Sequence, residues 1–360
     1  MSKGRTRTTS LQLAGALLVG VVCLWLSLRG ADLASFGAEI ASLSLPPVIL
    51  AMVCVFLVAV TKALRWQWLY GPALPSPTWS THFAILMISQ MLNLVIPVRL
   101  GELARLGLMR QEGRQIGVTF GTIVVEKSLD LLAVGLIVLL AVPLVLIPPS
   151  LETQLSTGGL LLGGAIFIML IAIGRFQEAL IDLLARIPEP KQERWARWLG
   201  TVRRGIVAVL SSMGSLKGRR LTRVAALTAG IWLLSLLTVQ IMFLAFDLSL
   251  SWGAPLALML ALTTSNWMPT PPAMIGVVGA VTVAVLSAFG VDQTRGLALG
   301  TVLNAVLVGP PVLMGGAALW NRLWQLGAAI SLHSLRRAAG LSDDKPEVNA
   351  QPQDGNHERT

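Results

Sequence analysis

Residues 93–102 read Asn93-Leu94-Val95-Ile96-Pro97-Val98-Arg99-Leu100-Gly101-Glu102, and this stretch decides the fold. An amide, a proline and then opposite charges interrupt a run apolar enough to enter a bilayer. Hydrocarbon tolerates a broken helix or an ionised side chain only where protein or water surrounds it. A second interruption stands at Asn266-Trp267-Met268-Pro269-Thr270-Pro271-Pro272. Broken apolar segments in corresponding positions of two halves are the best sequence pointer to a transporter's substrate site.

The rest of the chain places these breaks in a membrane. It is 54% hydrophobic and 13% charged, with a mean hydropathy of +0.72, values that belong to polytopic membrane proteins and exclude an ordinary soluble domain. The net charge of +10 does not point to nucleic acid. Most Lys and Arg lie between apolar runs, where they set topology and meet anionic headgroups. Cys23 and Cys54 fall inside apolar runs and read as small packing residues rather than a disulfide. Lys3, Arg5 and Arg7 precede the run from Leu11 to Leu28, which ends in Ser27-Leu28-Arg29-Gly30 without a small-x-small cleavage site. A retained first span with a cytoplasmic N-terminus is expected.

A span needs about 20 apolar residues. Six runs qualify, at 11–28, 47–69, 118–146, 158–174, 223–246 and 296–319, with a bend expected near Pro143. Regions 80–112 and 254–290 are apolar but split. Eleven Lys and Arg between Arg175 and Arg223 make that segment cytoplasmic under the positive-inside rule. Counting outward from it, region 80–112 begins and ends in the cytoplasm, so it is a re-entrant hairpin. Placing Arg322, Arg336 and Arg337 inside likewise makes 254–290 a hairpin dipping in from outside, although its second arm, 274–290, is long enough for a full span.

The expected fold is therefore an all-α polytopic membrane protein, with about six spans and two re-entrant broken-helix hairpins in an inverted repeat. Residues 1–44 form an anchor span and an outer interfacial helix, the latter marked by Leu33, Phe36, Ile40 and Leu43 at helical spacing. The first repeat is 45–174. A basic amphipathic loop follows at 175–222, where Trp195, Trp198, Leu199, Val202, Ile206 and Val209 make one apolar stripe. The second repeat is 223–320, and the tail 321–360 is expected to be cytoplasmic and disordered from 341. Gly117-x3-Gly121-Thr122 in one half and Gly296-x3-Gly300-Thr301 in the other support the repeat, though such spacing is common in packed membrane helices.

Few polar residues lie at membrane depth. Arg99, Glu102 and Arg105 recur at i, i+3, i+6 on the first hairpin's returning arm, while Glu126, Lys127 and Asp130 sit early in the next span. Arginine beside a carboxylate makes bidentate pairs, and an additional arginine holds phosphate. The functional reading is a polar cavity that receives a headgroup or relays protons; the plainer one is a neutral ion cluster that fastens hairpin to span. The cost of ions in lipid favours the functional reading. Asn93 and Asn266 are candidate substrate contacts, and equally candidates to satisfy backbone groups freed at the breaks. Pro97, Gly101, Pro269, Pro271, Pro272 and Gly276 are the hinge residues. Lys62 and Arg65, beside Trp66 and Trp68, read as snorkelling ends of the second span. His82 reads as idle near an interface. With His333 and His357 it forms no metal cluster, so no metal or other cofactor is expected. No nucleotide-binding loop, dinucleotide fingerprint or nucleophile elbow occurs, and the chain is not expected to be an enzyme.

The pattern Ser89-Gln90-x2-Asn93-x3-Pro97-x-Arg99-x-Gly101-Glu102-x2-Arg105, then Glu126-Lys127-x2-Asp130, resembles the flippase-like family related to the transmembrane region of lysylphosphatidylglycerol synthase. Pro269-Thr270-Pro271 followed by Ile275-Gly276-Val277 extends the resemblance, which covers about residues 45–320. It implies a bacterial inner-membrane protein that moves a phospholipid, glycolipid or hopanoid-type lipid between leaflets, with membrane lipids as partners. The alternative is a non-transporting subunit that scaffolds a lipid-modifying or glycosyl-transferring enzyme. A transferase using Glu126 or Asp130 as base is the weakest reading. Two departures stand out. The family often has Glu-Arg where this chain has Glu126-Lys127. The family also has a Gly pair after the second proline and an acid after Ile-Gly-Val, where this chain has Pro272-Ala273 and Gly279. No aminoacyl-transferase domain follows the last span, so synthesis of lysyl-lipid is not expected.

Overall fold

A computed structural model describes residues 18, 20–23, 25, 32–70, 77–96, 100–141, 218–266 and 271–338. The described residues are helical, with no strand among them. The chain divides into two units, Met1–Ala318 and Leu319–Thr360. The expected span 158–174, the bend at Pro143, the amphipathic stripe of the basic loop and the tail from 339 lie outside the described residues. Of the expected first span, residues 18, 20–23 and 25 are described and helical.

Helix α1, Leu33–Ala41, starts where Asp32 accepts hydrogen bonds from the Ala34 and Ser35 amides. That is an N-cap satisfying donors the helix leaves open. Phe36, Ile40 and Leu43 pack on the main core, as their spacing predicts. Helix α2, Leu45–Tyr70, opens on Leu45-Pro46-Pro47; proline early in a helix loses no bond it would have made. Its 26 residues reach about 39 Å at about 1.5 Å each, enough for the hydrocarbon core.

Two helices carry the first break: α3, Trp79–Val95, and α4, Gly101–Gln111, which pack against each other. Gly113, at φ 75°, reverses the chain by the left-handed route open to glycine, and the Arg114 amide returns to the Met109 carbonyl. Helix α5, Ile116–Ala141, follows.

The second half begins with α6, Arg219–Ala245. It runs antiparallel along α2: the Ser44 amide bonds the Ala245 carbonyl at one end, and Arg220 donates to the Trp68 and Leu69 carbonyls at the other. This is the most extensive helix pairing among the described residues. Helix α7, Gly253–Ser265, is buried over its first eight residues, a 3-10 turn spans Pro272–Met274, and α8, Val277–Ser287, packs back on α7. Helix α9, Gln293–Ala338, is longer than the expected span 296–319.

Among the described residues, three helices are long and apolar enough to cross a membrane: α2, α6 and the Gln293–Gln325 part of α9, with mean hydropathies of 2.4, 2.0 and 1.8. Helix α5 matches them in length but carries Glu126, Lys127 and Asp130 within its middle turns. The outer face of α2 leaves Leu45, Ile49, Val53 and Phe56 exposed, which is stable only where the solvent is lipid. The chain is a membrane protein. Its largest core cluster joins Met242 and Phe243 of α6 to Leu258 of α7, Leu286 of α8 and Leu299 of α9; a second joins Trp66, Ile85, Met87 and Met109.

Candidate functional site

The first break is closed by one side chain. Leu100, the residue before α4, offers no side-chain cap. Asn93, from the last turn of α3, accepts a hydrogen bond from the Gly101 amide at 2.8 Å and donates to Glu102 Oε1 at 3.2 Å. It thereby satisfies a donor that the start of α4 would otherwise leave bare. A Cβ on Gly101 would strike the Ser89 carbonyl oxygen and the Asn93 amide, so glycine is what lets the two arms touch. Glu102, in the first turn of α4, faces the positive end of that helix and lies 3.7 Å from Lys127 Nζ. Pro97 and Arg99 lie outside the described residues.

One turn on, Arg105 reaches α5. Its Nη2 is 2.7 Å from Glu126 Oε2, and its guanidinium carbon lies 3.9 Å from the centroid of the Trp66 ring. Such stacking suits a planar, delocalised cation. Glu126 has a second arginine: Arg65 Nη2 stands 3.7 Å from its Oε1. Arg65 also donates to Asp130 Oδ1 at 2.6 Å and to Thr228 Oγ1 at 3.2 Å. Helices α2, α4 and α5 thus meet in a single network of ions, to which α6 adds the Thr228 hydroxyl.

Arg65 corrects the sequence reading. Its side chain is fully buried rather than snorkelling. It lies five residues inside the end of α2 at Tyr70, well over one turn, and two carboxylates and a hydroxyl await it there. Trp66 is also fully buried, donating to Thr122 Oγ1 at 3.1 Å. Only Trp68, partly exposed beneath Arg223, retains the character of an interfacial residue. His82 is buried too, its ring edge-on to Trp66 and Tyr70 with centroids 5.1 and 5.3 Å away.

The second break is made differently. Asn266 ends α7, and Pro269 lies outside the described residues. From Pro271 the chain enters the 3-10 turn, where Ala273 and Met274 both adopt φ 53°, and Gly276 at φ 79° leads into α8. Left-handed backbone costs a residue with a side chain roughly 1–2 kcal/mol. The sequence placed no glycine pair here, and the backbone still takes the glycine conformation. Gly20 passes over this break, where a Cβ would come within 2.9 Å of the Pro271 ring. The Gly296-x3-Gly300 face of α9 packs on α8, with Gly300 set to meet Gly279 Cα at 2.9 Å were it given a Cβ.

Both breaks border one cavity of about 350 Å³. Asn93, Glu102, Arg105, Glu126, Lys127 and Asp130 line it from the first half, Asn266 and Pro271 from the second. Val55, Val58, Met259, Val278, Leu307 and Val308 supply an apolar wall. The arrangement can accommodate an amphiphile, with polar atoms on one side and alkyl carbon on the other. Among the described residues, no three His, Cys, Asp or Glu side chains group as metal ligands.

Sequence reasoning missed two contributors to this cavity. Lys62 lines it from α2, although its charge and neighbouring tryptophans suggested a headgroup anchor. Pro310 and Pro311 sit inside α9, with Pro311 in the cavity wall. Having no N–H, they leave the carbonyls of Val306 and Leu307 without their usual helical donors. Tandem proline in an apolar run was the available signal.

The profile of the lysylphosphatidylglycerol synthase TM region matches residues 12–315. No curated protein and no solved structure matches the chain. The matched range takes in both breaks, the ion network and the cavity between them, and the chain belongs to the lysylphosphatidylglycerol synthase transmembrane-region family.

Proposed function

We propose that the protein moves a lipid between the leaflets of the bacterial inner membrane, without converting it chemically. The observation that carries this reading is the shared cavity, in which an ionised break and a proline-rich break face each other across a partly apolar chamber. A headgroup of phospholipid, glycolipid or hopanoid type occupies the side of Asn93, Glu102, Lys127 and Asn266, while its tails stay against apolar wall and bilayer. The antiparallel pairing of α2 with α6, each opening its own half, supports the inverted repeat of about six spans and two re-entrant hairpins. In this arrangement both termini are cytoplasmic. Family membership supports lipid handling.

A leaflet-resolved assay in proteoliposomes tests it. Fluorescent phospholipids, glycolipids and hopanoids should become accessible to a membrane-impermeant quencher faster than in empty vesicles. No class exceeding the empty-vesicle rate overturns the reading. Glu102→Gln is the informative variant, because Glu102 is partly exposed and its partners, Asn93 and Lys127, are accessible too. It should slow transport in folded protein.

One observation favours the scaffold reading: Glu102, Glu126 and Asp130 each already lie within 4 Å of a cation. A cluster satisfied in this way can hold helices together without any substrate. A stable complex with a lipid-modifying enzyme, whose activity survives Glu102→Gln, would select that reading over transport.

A further inference from the structure

The three carboxylates that line the cavity meet three cations of the lining, Lys62, Arg105 and Lys127, and a fourth, Arg65, that reaches them from outside it. Arg65 is held by Asp130 and Glu126, Arg105 by Glu126, and Lys127 by Glu102. Lys62 faces the same chamber and makes no ion pair within 4 Å and no hydrogen bond among the described residues. Counting formal charges among the described residues of this network, four cations meet three anions, a surplus of one positive charge. Such a surplus is costly in lipid unless an anion meets it.

Two further donors share this condition. Ser89 and Gln90, on the arm of α3 that precedes the break, line the chamber, and neither side chain has a hydrogen-bond partner among the described residues. The other hydroxyls of the wall are occupied: Ser235, Thr238 and Thr263 donate to the carbonyls of Ile231, Leu234 and Met259 in their own helices. The uncommitted set is therefore an ammonium, a hydroxyl and an amide. All three can donate to oxygen, and one is charged, which suits a phosphate.

The geometry points to an anionic, phosphate-bearing headgroup as the occupant, held by Lys62 with Ser89 and Gln90. This inference rests on the reading of the cavity as a lipid site and names the class of lipid. The volume sets a further limit. At about 350 Å³ the chamber lies near the low end of the 300–1,000 Å³ typical of ligand sites. It fits a phosphate with a small alcohol, and neither an oligosaccharide nor two acyl chains.

The test is equilibrium binding, which needs no transport. The full chain, purified in a neutral detergent, is titrated with dioctanoyl phosphatidic acid, dioctanoyl phosphatidylcholine and inorganic phosphate. The phosphatidic acid should bind and the zwitterionic lipid should bind at least tenfold more weakly. Lys62→Gln should weaken phosphatidic acid about tenfold, the order expected for losing one hydrogen bond to a charged group, and Lys62→Arg should retain it. Because Lys62 is unpaired, Lys62→Gln should melt no lower than the parent protein. A lower midpoint would show a paired lysine and overturn the inference, as would equal binding of the two lipids or unchanged affinity in Lys62→Gln. Inorganic phosphate binding as tightly as phosphatidic acid would keep the anion site and overturn a lipid as its source. Lys62-dependent binding without transport in vesicles would leave this inference standing and remove flipping; transport with no charge preference would do the reverse.

Discussion

The Asn93 side-chain oxygen and the Gly101 amide meet at 2.8 Å, so a single hydrogen bond spans eight residues of interrupted helix. Helix ends in hydrocarbon are costly because no water is there to satisfy them. Asn93→Ala removes the cap, and a loss of about 1–2 kcal/mol is expected, read as a lower unfolding midpoint in detergent. Gly101→Ala should cost about 1–3 kcal/mol, since its Cβ meets backbone rather than a flexible tip. An unchanged midpoint for Gly101→Ala would show that the two arms do not touch.

Glu126 bridges Arg105 and Arg65, both of which are buried. Glu126→Ala should therefore destabilise the protein by roughly 3–5 kcal/mol, because buried Arg105 loses its carboxylate and buried Arg65 loses one of its two. The double variant Arg105→Met with Glu126→Ala should recover a measurable part of that loss. Thermal unfolding of the four proteins of this cycle gives the coupling directly. Strictly additive losses would mean that the pair does not interact.

The turn at the second break holds Ala273 in left-handed backbone. Ala273→Gly should raise stability by about 0.5–1 kcal/mol, since relief of strain outweighs the added freedom of the unfolded chain. Gly276→Ala, at φ 79°, should lower it by about 1–2 kcal/mol. Equal midpoints for Ala273→Gly and the parent would argue against a left-handed residue there.

Neighbouring glycines of α9 should respond differently. A Cβ on Gly315 would stand 2.5 Å from the Met87 carbonyl oxygen, whereas one on Gly309 would meet nothing within 4 Å. Gly315→Ala should cost about 1–3 kcal/mol. Gly309→Ala should be neutral or stabilising by up to about 1 kcal/mol, the helix-propensity difference. Reversal of that order would place a different face of α9 against α3.

Much of this was legible in the sequence because lipid makes polarity expensive. The two breaks stood out for that reason, and the helices stop at Val95 and Ser265, where the amides and prolines predicted an interruption. The acids and arginine at 102, 105, 126 and 130 were expected together, as one polar cavity or one ion cluster, and the structure sets them around one cavity. What the sequence concealed was which basic residues turn inward. Lys62 and Arg65 sit beside tryptophans near the end of α2, a context shared by headgroup anchors. Only depth distinguishes them, and depth depends on where α2 ends. Likewise, the left-handed turn at Ala273 falls on residues whose types give no hint of it. Packing of the surrounding helices, not local preference, sets that conformation.

Arg105 has consequences for motion. Its guanidinium is pressed against Trp66 on one face and bonded to Glu126 at its edge, so α4 is fastened to α2 and α5 together. Swinging the first hairpin away would strip charges bare inside the bilayer. At the second break no ion pair is made among the described residues, and the bend there rests on left-handed backbone at Ala273 and Met274. If the chamber opens alternately to the two leaflets, the first hairpin acts as the fulcrum and the second as the moving arm.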